Sequence, residues 1–477
     1  MEYDGLILGA GHNALVLQVY LCKAGLNVAC IERRSVAGGG LTTEEHGPGF
    51  LHNTHSFYHR ALTQMPWYGD LELERHGAHY IEPELNVALL TRDGAALEWW
   101  TDFERTYASF ANFSRRDADT ARRWREEFIP IVERILIPEA QAPPLPPDQR
   151  QALISRSAEG RRLLEVSQLS PRDFVLREFE HPTIQAGLLF FNGLREVDLR
   201  EKGFGHHIPA LLASKGKAQM CRGGSAQLAQ ALVNAVEEAG GQVLLETEPA
   251  EILVEGGRVV GVETKEGRRL TARHFVASSL NPQQTFLDLI APEALPQAWR
   301  DKAAAFRYNL LAPLFGLYLE LDEAPAYKAA TAYPHLNQAF MVILGLESPA
   351  DFDAIVHHHE AGSMPPTITW GSTPTLFDPS QAPDGKHTAF MWEKLPYALG
   401  GDPAQWDAIK EEHGRQILVA WTEHAPNLRD ALIDSFVRSP LDVERTLPNM
   451  RNGDLLGGAF SGDQVGYNRP FPGAGGY

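Results

Sequence analysis

The chain has 477 residues, 44% hydrophobic and 22% charged, enough for two domains or one large interleaved pair with a sizeable core. Its 61 acidic against 43 basic side chains leave a formal net charge of −18, which argues against nucleic acid and anionic membrane surfaces as main partners. Cys22, Cys30 and Cys221 form no CxxC or metal-type spacing, so a disulfide framework, a zinc site and a dithiol redox centre are not expected.

So few cysteines suit a reducing compartment, hence the cytoplasm. No basic leader with a cleavage site precedes the first apolar run, and no uncharged apolar stretch reaches the roughly 18 residues of a spanning helix. The expectation is a cytoplasmic protein, at most peripheral to a membrane.

In chain order, Gly5–Leu8 reads as a buried strand ended by Gly9-Ala10-Gly11. A helix is expected over Asn13–Ala24, with Leu15, Val16, Val19 and Tyr20 on one face and Gly25 at its end. A second strand, Asn27–Ile31, closes with Glu32, giving β-α-β with parallel strands. Ser114 followed by Asp117 reads as an N-cap opening a long helix through Trp124 and Phe128. Ala142–Pro147 (APPLPP) is a surface connection, and 163–194 is largely helical. Leu228–Ala239 is a helix, followed by a strand at QVLLE and a meander with turns at Gly256-Gly257 and Glu266-Gly267. Alternating patterns at 310–321, 367–370 and 387–392 suggest a separate mixed sheet, followed by a helix over 405–422.

The chemistry-bearing motif is Gly9-Ala10-Gly11-His12-Asn13-Ala14. Gly9 allows the tight strand-to-helix turn, and Gly11 lets backbone approach a diphosphate at a helix N-terminus. Ala14 stands where a third glycine is usual. Glu32, at the end of the second strand, can accept from both ribose hydroxyls and would repel a 2′-phosphate. The expectation of FAD rather than NAD rests on the further glycines Gly38-Gly39-Gly40, since a plain NAD domain has no use for a second glycine pair there, with a flexible loop as the competing reading.

The amino end, GAGHNALVLQVYLCKAGLNVACIERRSVAGGGLTTEEHGPGF, resembles the phytoene desaturase and carotenoid ketolase group, together with the pyridine nucleotide-disulphide oxidoreductase domain-containing proteins. The resemblance recurs at Arg222–Ser225, at VASSLNP, at Leu376–Pro379 with Ala382–His387, and at Ser439–Asp442. It implies an α/β fold: a discontinuous, glutathione-reductase-like Rossmann FAD-binding domain with an inserted mixed α+β substrate domain. The corresponding division is 1–75, 205–290 and 440–477 for the FAD domain and 76–204 and 291–439 for the substrate domain. By matching position, Gly9, Gly11, Glu32, Arg33, Gly39 and Gly40 contact FAD, and the backbone near Ala250 lies by the adenine. The resemblance also implies a strand and glycine-rich turn beyond the point matching Pro470–Tyr477, completing the flavin site. Ser461-Gly462-Asp463 only imitates that motif.

Flavin N5 accepts hydride, so the first reading is an FAD-dependent dehydrogenase, desaturase or oxidase of an apolar small molecule, isoprenoid or aromatic, reoxidised by dioxygen or a quinone. The alternatives are an oxidase of a small amine or aromatic alcohol, and a non-catalytic, escort-like binding protein of the same fold. His55 and His59, just after the glycine triplet, are the candidates for a general base or orienting donor, with structural histidines as the competing reading. His357-His358-His359 reads as a solvated loop rather than a metal site, and the apolar runs 187–191, 310–319 and 340–344 read as core before substrate wall.

Overall fold

Near-continuous apolar runs suit strands covered on both faces, and such runs form Val28–Ile31 (β2) and the second half, Gly5–Leu8, of the strand Glu2–Leu8 (β1). In this computed structural model, which describes residues 2–192, 198–216 and 218–474, the helix His12–Lys23 (α1) crosses between them. They pair in parallel, Gly5 opposite Val28 and Leu8 opposite Ile31. Gln242–Leu244 (β3) adds to β2, while Pro249–Glu255 (β4), Arg258–Thr264 (β5) and Arg269–Ser278 (β6) form the expected meander. The resulting order is β3-β2-β1-β6-β5-β4, with β6 returning parallel to β1. Gly5 leaves room for a side chain of the returning strand. A Cβ there would stand 2.1 Å from the Phe275 ring of β6.

The α1 helix ends as expected, with Gly25 at φ +89° and Leu26 N–H donating to Leu21 O. Its buried face differs from the expected one. Leu15 and Val19 are buried, but Tyr20 is exposed and donates to Asp70, while Gln18 and Cys22 turn inward. The fully buried Gln18 amide donates to Val28 O and Gln242 O, tying the amino ends of β2 and β3 together. All three cysteines are buried and none is in a disulfide.

These strands belong to one compact unit, Met1–Glu82, Ala218–Arg307 and Arg445–Arg451. A second unit comprises Pro83–Lys217, Tyr308–Glu444 and Asn452–Tyr477. The tail from Asn452 thus groups with the second unit, whereas the sequence division places it in the first. The second unit is built on a seven-stranded mixed sheet, ordered Leu432–Arg438, Leu314–Leu321, His387–Lys394, Thr369–Ser372, Met341–Leu344, Leu85–Leu90 and Ala96–Trp100. Its one parallel pair joins Met341–Leu344 to Leu85–Leu90. The apolar runs 314–319 and 340–344 are core strands here, and Phe190 packs edge-on against Trp370 at 5.5 Å.

Around this sheet, Ser114 caps the helix Arg115–Ile131 by accepting from Asp117 N–H. The stretch expected to be largely helical is three short helices, Ala158–Ser167, Pro171–Glu178 and Pro182–Asn192; positions 193 and 194 lie outside the described residues. The triple histidine is not a loop. It lies on the helix Pro349–Ala361, started by a Ser348–Asp351 capping box and stopped by Gly362 at φ +61°, with His359 buried and bonded to Ile355 O. Among the described residues, no helix is long and apolar enough to cross a membrane.

Candidate functional site

The turn between β1 and α1 brings two glycine segments back to back. Gly38 N–H donates to Ala10 O at 2.7 Å, and a Cβ on Gly39, whose φ is +60°, would lie 3.2 Å from Gly11 Cα. Packing therefore accounts for several of these glycines. A Cβ would meet Ser279 Oγ at 2.7 Å from Gly9, Ala229 Cβ at 2.6 Å from Gly38, and Met450 Cε at 2.8 Å from Gly40.

Gly11 is different. Its backbone is extended (φ −70°, ψ 165°), a conformation any residue adopts, and a Cβ there would meet nothing within 4 Å. Neither strain nor packing requires glycine at this position, so the protein leaves open space that its own atoms do not use. That space lies at the start of α1. The first helical bond runs from Leu15 N–H to Gly11 O, and no side chain caps the end, so the N–H groups of His12, Asn13 and Ala14 are left over with the positive pole of the helix. A diphosphate fits that arrangement chemically.

Glu32, buried at the end of β2, is fixed by two backbone donors: Ala10 N–H to Oε2 at 3.0 Å and Arg34 N–H to Oε1 at 3.0 Å. Each carboxylate oxygen keeps a lone pair that a ribose hydroxyl could donate to. The chain passes this point again at 246–247, where Thr247 N–H donates to Glu32 O and Glu246 N–H to Arg34 O. Ala250, exposed on β4, follows three residues later. Arg33 points elsewhere, its exposed guanidinium donating to Thr446 O at 3.1 Å. The structure thus gathers Gly9, Gly11, His12, Asn13, Ala14, Glu32, Gly39 and Gly40 around one turn, with Arg33 and Ala250 at its margins.

The two histidines occupy a buried polar cluster of the same unit. His55 Nδ1 lies 2.7 Å from Thr42 Oγ1 and 3.0 Å from Thr54 Oγ1. His59 has both nitrogens engaged, Nδ1 with Tyr80 Oη at 2.7 Å and Nε2 with Ser56 Oγ at 3.1 Å. Burial, with the neighbouring His12 contributing, pushes the His59 pKa down to about 3. A neutral ring with both edges occupied is a packing group, which counts against His59 as a proton acceptor. Sequence reasoning missed the partners Thr42, Thr54 and Tyr80. It also missed Asn53, whose Oδ1 accepts from Thr43 Oγ1 and from Ser225 N–H after the Arg222–Ser225 turn. Thr54 is the immediate neighbour of His55, whereas Tyr80 lies 21 positions from His59 and Ser225 lies 172 from Asn53, separations that give no local signal.

The glycine turn and terminal carboxylate, set on the parallel strands β3-β2-β1-β6 of a mixed sheet, define a dinucleotide-binding fold. Residues 18–412 match the family described as flavin containing amine oxidoreductase. The chain is 31% identical to a limonene dehydrogenase subunit of Castellaniella defragrans, covering 98% of this chain and 87% of that protein. It is 27% identical to pyridine nucleotide-disulfide oxidoreductase domain-containing protein 2 of Rattus norvegicus, over 99% of this chain and 87% of that one. A solved structure of a putrescine oxidase variant has the same fold, with a TM-score of 0.56 at 14% identity, over 92% of this chain and 84% of that one. The chain belongs to the flavin-containing amine oxidoreductase family, in its phytoene-desaturase-like branch, and is an FAD-dependent oxidoreductase.

Proposed function

We propose that this enzyme is a dehydrogenase of an apolar, isoprenoid-like small molecule, with FAD seated on the β1–α1 turn. The FAD seat is carried by the open space in front of Gly11 where it coincides with the start of α1 and with Glu32 held by Ala10 and Arg34 N–H. The dehydrogenase reading is supported by the likeness to the limonene dehydrogenase subunit over nearly the whole chain. In the proposed seating, the N–H groups of His12, Asn13 and Ala14 bind the diphosphate, with Gly11 admitting it. Glu32 accepts from the adenosine ribose, its orientation set by Ala10 and Arg34 N–H, and the chain near Ala250 borders the adenine. Gly38 and Gly39 hold the second loop against the first, and Gly40 borders Met450. Arg33 steadies the segment at Thr446 and contributes positive charge near the cofactor.

Bound FAD supplies a two-electron acceptor at N5. For a hydrocarbon-like substrate the protein's task is to exclude water and orient the reacting C–H bond, and we assign the substrate-holding role to the second unit. His55, anchored by Thr42 and Thr54, acts as a positioning residue beneath the cofactor loop. Dioxygen or a quinone takes the electrons away, in the cytoplasm or at the face of a membrane. The test is anaerobic mixing of FAD-loaded protein with cyclic isoprenoid hydrocarbons, amines and aromatic alcohols. Bleaching of the oxidised flavin by the hydrocarbons alone is expected; bleaching by amines alone would overturn the substrate assignment.

A further inference from the structure

We infer that the imidazole of His12 is a proton-linked contact of the cofactor's diphosphate: it takes up a proton as FAD binds and holds the anion as a charged donor. This contact rests on the FAD seating proposed above and adds a side chain to a role so far assigned to backbone alone.

His12 is the first residue of α1 and follows Gly11, so its side chain springs from the turn that carries the leftover N–H groups. The residue is exposed, and its ring makes no hydrogen bond or ion pair with any described residue. Yet desolvation by the surrounding protein holds its pKa below the ordinary histidine value. On a convex surface, water would solvate the charged form and no such lowering would arise. Openness together with crowding describes a side chain that lines a recess, and the open space before Gly11 belongs to the same turn. His59, the histidine whose charge His12 influences, has both nitrogens engaged and is held neutral by burial.

The charges around the turn leave the anion short of cations. Glu32 stands there as a carboxylate, its Oε2 accepting from Ala10 N–H. Arg33 is committed to Thr446 O, and Arg34 donates to Gly39 O at 3.4 Å. The elements packed against α1 add little. On β1 the titratable groups are Glu2, Tyr3 and Asp4, at the end away from the turn, and on β2 there is the buried thiol of Cys30. The helix Ala226–Glu238 meets the turn near Ala229 and carries no titratable group before Glu237. Histidine is the side chain that gains charge near neutral pH, which leaves His12 to answer the diphosphate. An anion beside a neutral imidazole favours its protonated form and raises the pKa that the recess had lowered. Affinity is then greatest below the pKa of the free protein and falls as pH rises through that of the complex.

The test titrates FAD into flavin-free protein by calorimetry at about pH 5.5, 7 and 8.5, each in two buffers of different ionisation enthalpy, so that proton uptake is read apart from affinity. His12→Asn keeps a polar side chain without a charge, and His12→Lys stays charged throughout. The parent should take up a fraction of a proton near pH 7 and bind about tenfold more weakly at the highest pH than at the lowest, the ratio given by a pKa raised by about one unit. His12→Asn should show neither effect. His12→Lys should also show neither, while binding FAD more tightly than His12→Asn. A parent with no proton uptake and a pH-independent affinity overturns the contact and leaves the FAD seat standing, as does a pH slope that persists in His12→Asn. Should a variant melt at a lower temperature than the parent, the parent's own proton count decides. A parent that binds no FAD at any pH removes the seating itself, and the contact with it.

Discussion

Replacing Gly11 by alanine separates a glycine kept for a ligand from one kept for the fold. Gly11 has dihedrals that alanine adopts without strain, and its added Cβ would meet no protein atom within 4 Å. The apoprotein should therefore keep its stability or gain about 0.4–1 kcal/mol from the smaller entropy of the unfolded chain. The same methyl group would stand in the space assigned to the diphosphate. Displacing an anion from charge-assisted N–H donors forfeits on the order of 1.5–3 kcal/mol, roughly a 10- to 100-fold rise in the FAD dissociation constant. Gly39→Ala is the counterpart. At φ +60° and 3.2 Å from Gly11 Cα, it should lower the stability of the apoprotein itself by about 1–2 kcal/mol. Urea unfolding of the flavin-free proteins and fluorescence titration with FAD give the two quantities independently. A Gly11→Ala variant that binds FAD within twofold of the parent, or whose apo form is destabilised, would refute the reasoning.

Glu32→Gln turns one acceptor into a donor facing Ala10 or Arg34 N–H; FAD titration should show at least tenfold weaker binding, with a lower melting temperature from the orphaned N–H. Gly5→Ala drives a Cβ to 2.1 Å from the Phe275 ring, and thermal unfolding should show a loss of about 1–3 kcal/mol. His52 and His59 are buried and neutral, each with its pKa pushed down to about 3, chiefly by burial. Unfolding lets them protonate near pH 6.5, so the unfolded state binds more protons between about pH 3 and 6.5. Their contribution is complete above that window and is lost as pH falls through it, amounting to about 2 kcal/mol per histidine at pH 5. Denaturant unfolding at pH 7 and pH 5 measures this, and His59→Phe should flatten the slope.

What the sequence makes legible is local. The Gly25 cap, the Ser114 cap, the β1–α1–β2 crossover and Glu32 at the strand end all follow from residues within a turn or a strand of one another. What escapes it depends on distant partners or on weighing one local signal above another. Tyr20 looks like core by its spacing, yet Asp70, 50 positions away, offers its hydroxyl an acceptor at the surface. The histidine triplet looks solvated because of its polarity. The stronger signals are the Ser348–Asp351 box and Gly362, which frame a helix whose inner face takes His359. His59 stands in a plausible place for proton transfer, but Tyr80 and Ser56 claim both of its nitrogens. The glycine triplet reads as a cofactor loop, and the structure adds that Gly38 and Gly39 are also needed for contact with the first turn.

The most direct test of the FAD seating compares FAD with FMN on flavin-free protein. Because Glu32 and the start of α1 are assigned to the adenosine diphosphate half, FAD should bind at least a hundredfold more tightly than FMN, a difference of about 2.7 kcal/mol. Equal affinity for the two flavins would mean that the β1–α1 turn does not hold the dinucleotide.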